Sequence, residues 1–174
     1  TDLDKNNEIK VNFNNIIESK FCSKIKNKNN VIISTLEHLM STLNALSIDN
    51  LIVEIDSYEL PAMDGSAYEY TYKISEVGKK SQNKPKKFLK INKEISVNLG
   101  KRWIKIIPSN ELLINLEIDY PNTLIGKDTI HYLHNERSFV NDICYARTFT
   151  LLSNVEKLRA SGFGIGGNLN NALV

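Results

Sequence analysis

Apolar residues recur at two different periods along the chain, and the switching between them predicts both helices and strands. In STLEHLMSTLNALSIDN (34–50), Leu36, Leu39, Met40, Leu43 and Leu46 fall at i, i+3, i+4, i+7 and i+10, one stripe of a helix. Ser34 followed by Glu37 reads as a capping box that opens it. The run VIIS (31–34) before it and LIVEID (51–56) after it are rich in β-branched residues and predict strands. ELPAMDGSAYEY then reads as a loop, with Pro61 and Asp64-Gly65 as turn formers. Ser66 with Glu69 suggests a second capping box, on a helix that runs to about Val77 and stops at Gly78.

Further along, FLKINKEISVNL, RWIKIIPS and ELLINLEIDY alternate apolar and polar residues at period two, the pattern of antiparallel strands with one wet face. IHYL (130–133) adds a short strand, and ERSFVNDICYA and NVEKLRAS read as helices, the second halted by Gly162. The run GKKSQNKPKK separates the two halves; Pro85 blocks regular structure and the lysines keep it solvated. The expectation is an α+β chain of two similar units, each packing a sheet against helices. They span 1–78 and 88–174, with 79–87 as a basic linker.

Composition narrows the function classes. With 22 Lys and Arg against 20 Asp and Glu, the formal charge is only +2, too small a field to point to nucleic acid. Two cysteines, Cys22 and Cys144, are too few for a disulfide framework, which favours a reducing compartment. No stretch approaches 18 uninterrupted apolar residues, and the polar opening TDLDKNNEIK is unlike a signal peptide. A cytoplasmic protein with no transmembrane segment is expected.

Candidate chemistry is sparse. Glu37 and His38 are neighbours at a helix start, where side chains point about 100° apart. They either converge on a metal and its water or form an ordinary helix terminus. His131 and His134 have a ligand-like i, i+3 spacing, but a strand end turns such positions to opposite faces, so they read as surface residues. GFGIGGNLNN (162–171) is glycine-rich, yet it follows a helix where a dinucleotide fingerprint needs a strand. In ARTF (146–149) a threonine hydroxyl beside an arginine either orients a carbonyl or belongs to a plain turn.

Two longer blocks carry more information. ISTLEHLMSTLNALSIDNLIVEIDSYELPAMDGSA and, later in the chain, ARTFTLLSNVEKLRASGFGIGGNLNNALV together resemble the UDP-3-O-acyl-N-acetylglucosamine deacetylases, bacterial zinc amidases of lipid A synthesis in Gram-negative organisms. The resemblance spans nearly the whole chain. It implies that His38 is a zinc ligand and that Glu37 is the general base toward the attacking water. Thr148 is implied to hold the amide carbonyl oxygen, and Tyr120 to lie near the uracil. Phe149, Leu151, Leu152, Val155 and Ile165 are implied to border the acyl-chain passage, an insert that starts at Phe149. Cys22 is implied to sit on a loop near the metal, and Asp64-Gly65-Ser66 matches a family motif of its own. The active site would lie in the cleft between the two units, and the partner would be a small UDP-linked acylated amino sugar.

The resemblance also has departures. The remaining zinc ligands of the family, in an HKxxD block, and a further histidine fall beyond Val174; the opening strands fall before Thr1. Thr150 stands where glycine is usual. With one of three zinc ligands, the 174 residues alone are expected to be inactive and, with sheet edges open, prone to self-association. The alternative is a non-catalytic remnant of the same fold that binds the UDP-sugar or its acyl chain.

Overall fold

The computed structural model of the protein describes residues 7–174. Its first unit comprises the described residues up to Lys80 together with Phe139–Val174, and its second comprises Ser81–Ser138. The boundary falls inside the predicted linker, which has no regular structure and is exposed throughout. Residues 139–174, assigned from sequence to the second unit, group with the first. The reason is direct bonding: the Thr148 amide donates to the Gly65 carbonyl at 2.7 Å, and Phe139 and Cys144 pack against Ala45 and Ala67.

In the first unit three short strands, β1 (Ile16–Ile17), β2 (Lys24–Lys26) and β3 (Ile32–Ser34), form an antiparallel meander in that order. Helix α1 (Glu37–Ala45) follows, and its stripe packs as its spacing predicts: Leu36, Leu39, Leu43 and Leu46 are buried. Leu36, Leu39 and Leu43 make one core with Ile25 and Leu60, and Ile33, Ile48 and Ile74 close around it. Met40, at the edge of the stripe, stays 39% exposed. Helix α2 (Tyr68–Val77) lies beside α1, and the hydroxyls of Thr42 and Thr71, both buried, meet at 3.1 Å. The Thr71 hydroxyl donates to the Ala67 carbonyl at 2.8 Å and accepts from the Thr42 hydroxyl, so neither is left unpaired in the apolar contact. Helix α2 stops at Gly78, whose φ of +80° suits glycine.

Three local expectations give way. Ser34 does not cap α1, because it is committed to β3 and to the segment beyond it: its amide donates to the Tyr58 carbonyl and its carbonyl accepts from Leu60. The cap position falls to Leu36 without a side-chain cap. The second capping box is replaced by a chain of turn bonds, in which Ser66 donates to Asp64 Oδ1 and the Ser66 hydroxyl accepts the Tyr68 amide. LIVEID is not a strand. Leu51, Ile52 and Val53 are 47%, 90% and 46% exposed, and it is the later residues 58–60 that lie along β3.

The second unit holds two antiparallel ladders, β4 (Ile95–Leu99) with β5 (Arg102–Ile106), and β6 (Leu113–Tyr120) with β7 (Gly126–Leu133). Register follows the alternation: Ile95 opposes Ile106 and Val97 opposes Ile104, which gathers the apolar side chains on one face of the first hairpin. The Asn98-Leu99-Gly100 turn forms with Gly100 at φ +60°. FLKINKE contributes no strand before Ile95. A three-residue turn of helix, α3 (Glu136–Ser138), ends this unit. In the first unit ICYA is not α-helical as expected: Phe139–Ile143 winds as a π turn, and α4 (Leu152–Ala160) follows with Gly162 at φ +80° after it. Helices and antiparallel sheets together make the α+β class predicted from sequence.

Two measurements follow from burial. Cys144 is 1% exposed, donates to the Val140 carbonyl at 3.0 Å, and has its thiol pKa raised by burial; Cys22 is half-buried. Iodoacetamide should therefore alkylate Cys22 in the folded chain and Cys144 only after denaturant is added; equal native rates would contradict this packing. Burial also lowers the His134 pKa. Its neutral form is favoured in the fold, so the stability this brings is present above the unfolded value of about 6.5 and is lost as pH falls below it. An NMR titration should place the His134 midpoint below about 6.5, and a midpoint at or above that value would contradict the account.

Candidate active site

The first turn of α1 begins at Glu37 because the chain must turn sharply after β3, with Thr35 at φ +61°. An acidic residue there is favoured by the exposed amides of the helix start. The Glu37 side chain reaches out of the helix, however, and its Oε1 accepts the backbone amide of Ser23. The Ser23 carbonyl in turn accepts the Thr35 amide at 3.0 Å. Ser23 is thus gripped on both sides of its peptide, and the loop 19–23 is fastened to the start of α1. Cys22, the preceding residue, comes with it and has its thiol 3.5 Å from the Ser19 hydroxyl. His38 follows Glu37 on the helix and is half-buried. Cys22, Glu37 and His38 are therefore gathered at one end of α1. Ser23 joins them, and the sequence pattern gave no sign of it.

Thr148 is held by a different device. Its amide donates to Gly65 and its carbonyl accepts from Leu173 at 3.0 Å, so ARTF lies between the Asp64-Gly65-Ser66 turn and the end of the chain. Gly65, at φ +85°, has no room for a side chain: a Cβ there would lie 2.1 Å from the Asn171 carbonyl oxygen. Arg147 donates through Nε to the Asp64 carbonyl at 2.7 Å and through Nη2 to the Leu169 carbonyl at 3.1 Å. This turn leads into Ala67, whose carbonyl accepts the Thr71 hydroxyl to which Thr42 of α1 is bonded, and Thr42 lies one helical turn beyond His38 on the same side. The ARTF segment is in this way tied to the α1–α2 pair.

The acyl-passage candidates cluster on and around α4. Leu151 precedes the helix and is half-buried with Val155, whereas Phe149, Leu152 and Ile165 are 44%, 75% and 76% exposed. Phe149 bridges Leu173 in parallel, and the Phe163 ring meets Phe21 edge-on at 5.2 Å, bringing the loop 19–23 against the C-terminal segment. Two depressions, of about 410 and 570 Å³, are lined by Glu94, Ser96, Asn98, Trp103 and Lys105 and by Asn7, Glu54, Ile55 and Asp56. Neither contains a candidate residue. Tyr120 ends β6 in the second unit, half-buried, with its carbonyl accepting the Thr123 hydroxyl at 2.8 Å.

Donors for a metal are few. Among the described residues no group of three or more His, Cys, Asp or Glu side chains is assembled that could hold an ion. His131 is bonded to Asn115 at 2.7 Å and His134 to the Tyr132 hydroxyl at 3.1 Å, both in the second unit. No described helix is long and apolar enough to cross a membrane.

Comparison with known proteins supplies the context for this geometry. Residues 1–174 match the family model described as "UDP-3-O-acyl N-acetylglycosamine deacetylase". The chain is 38% identical over 175 residues to a Colwellia psychrerythraea protein named UDP-3-O-acyl-N-acetylglucosamine deacetylase, covering 99% of this chain and 57% of that one. Proteins of the same name from Pasteurella multocida and Nitratiruptor are each 37% identical, over 100% and 98% of this chain and 58% and 57% of their own. The chain thus spans a little over half the length of these relatives. With the family model matched from end to end, the chain belongs to the UDP-3-O-acyl N-acetylglycosamine deacetylase family.

Proposed function

We propose that the protein carrying this chain removes the N-acetyl group from a UDP-linked 3-O-acylated glucosamine, a zinc-dependent hydrolysis that serves lipid A synthesis in the cytoplasm. The observation that carries the reading is the Glu37 carboxylate, tethered by the Ser23 amide beside Cys22 and His38 in a chain of this family. A carboxylate accepts several hydrogen bonds, so occupation of Oε1 by Ser23 leaves Oε2 for a water. The tether removes rotamer freedom, which is what a positioned proton acceptor requires.

In this reading Glu37 takes a proton from the water that attacks the acetamide carbonyl and returns it to the leaving amine. The Thr148 hydroxyl donates to the carbonyl oxygen as negative charge develops there. His38 is assigned to the zinc ion. One imidazole does not make such a site, since catalytic zinc is held by about three protein ligands and the described residues do not assemble that many. Exposed Leu152 and Ile165, with Leu151, Val155 and Phe149, offer the apolar surface assigned to the acyl chain, and Tyr120 is assigned to the uracil ring.

Two experiments test the proposal. Full-length protein should release acetate from UDP-3-O-acyl-N-acetylglucosamine, and Glu37→Gln should lower kcat by about 10²–10⁴-fold with little change in KM. Binding without acetate release would favour a non-catalytic remnant, and full activity in Glu37→Gln would remove Glu37 from the mechanism. The 174-residue chain by itself, dialysed and analysed for metal, should hold far less than one zinc per chain. One tightly bound zinc per chain would contradict the ligand count.

A further inference from the structure

We propose that Arg147 is a positioning residue, fixing the direction in which Thr148 presents its hydroxyl. This rests on the deacetylase reading above. The Arg147 side chain bonds the carbonyls of Asp64 and Leu169, while the backbone of its neighbour Thr148 bonds Gly65 and Leu173. Side chain and main chain thus address the same two segments, one at the successive residues Asp64 and Gly65 and the other at Leu169 and Leu173. The Thr150 amide adds a third bond, to the Leu173 carbonyl at 2.9 Å.

The geometry leaves little slack on the Gly65 side, where the Thr148 methyl is 3.3 Å from the Cβ position of Gly65. Asp64 cannot swing away to answer Arg147 with its carboxylate, because Oδ1 already accepts both the amide and the hydroxyl of Ser66, which is fully buried. Arg147 therefore reads the backbone of the turn, and only a forked, planar cation reaches two carbonyls set on different segments. Without it, Thr148 keeps its main-chain bonds, but the Asp64 turn and the 169 segment lose their common strut. The side chain between them is then free to rotate by the small amounts that matter to an oxyanion donor.

The test is a double-substitution cycle in the full-length protein, read as acetate release. Arg147→Gln should lower kcat by about 10–100-fold with KM within about twofold, as expected for misplacement of a group rather than loss of binding. On a Thr148→Val background the same substitution should cost less than about twofold, because the hydroxyl it positions is gone. Arg147→Lys, which keeps the cation and one bond, should fall between wild type and Arg147→Gln. It also covers the case in which the glutamine variant does not fold. A loss from Arg147→Gln, or from Arg147→Lys where the glutamine variant does not fold, that is equal on both backgrounds would overturn the assignment, as would unchanged kcat in the folded variants. Absence of acetate release by the wild type would instead overturn the function reading.

Discussion

The candidate site depends on how the peptide of Ser23 is held. Its amide is given to the Glu37 carboxylate and its carbonyl accepts Thr35, so one residue joins the loop 19–23 to the turn that starts α1. Charge-assisted bonds of this kind are roughly twice as strong as neutral ones. The consequence is that Cys22, Glu37 and His38, separated by up to 16 positions in sequence, occupy one end of a single helix. The leucine stripe behind them supplies the rigidity: α1 cannot turn about its axis without exposing Leu39 and Leu43, which are 7% and 4% exposed.

A second constraint operates at Gly65. Three stretches of chain, the Asp64-Gly65-Ser66 turn, ARTF and residues 169–173, approach so closely that a Cβ is excluded. This explains why a turn motif and a threonine 83 positions away belong to one arrangement. The buried Thr42–Thr71 contact then carries the arrangement to α1, since the Thr42 hydroxyl donates to Thr71, which donates in turn to the Ala67 carbonyl at the head of α2.

Much of the architecture was legible from periodicity, and the failures have local causes. The α1 stripe, the stops at Gly78 and Gly162 and the hairpin at Gly100 each rest on residues whose own chemistry decides their conformation. LIVEID failed because β propensity does not supply a neighbouring strand, and 58–60 took the position along β3 instead. Ser34 failed as a cap because its backbone was already engaged on two sides. The division of the chain failed at residue 139 because affinity between distant segments, Arg147 for Asp64 and Phe139 for Ala67, has no periodic signature. In the site itself, the residue pattern left two readings open for Glu37, His38 and Thr148, and only family resemblance gave them roles. Ser23 contributes only its backbone, so no side-chain pattern could have marked it.

In the proposed reaction a carboxylate tethered at Glu37 and a hydroxyl at Thr148 act on one acetamide. The most direct measurement is a crystal structure of the full-length protein, with Glu37 replaced by Gln to slow turnover, holding its intact UDP-linked acyl sugar. The acetamide oxygen should lie within hydrogen-bonding distance of the Thr148 hydroxyl, with the residue 37 side chain still bound to the Ser23 amide and facing the carbonyl carbon. An acetamide lying away from both residues, or residue 37 swung from Ser23 into solvent, would contradict it.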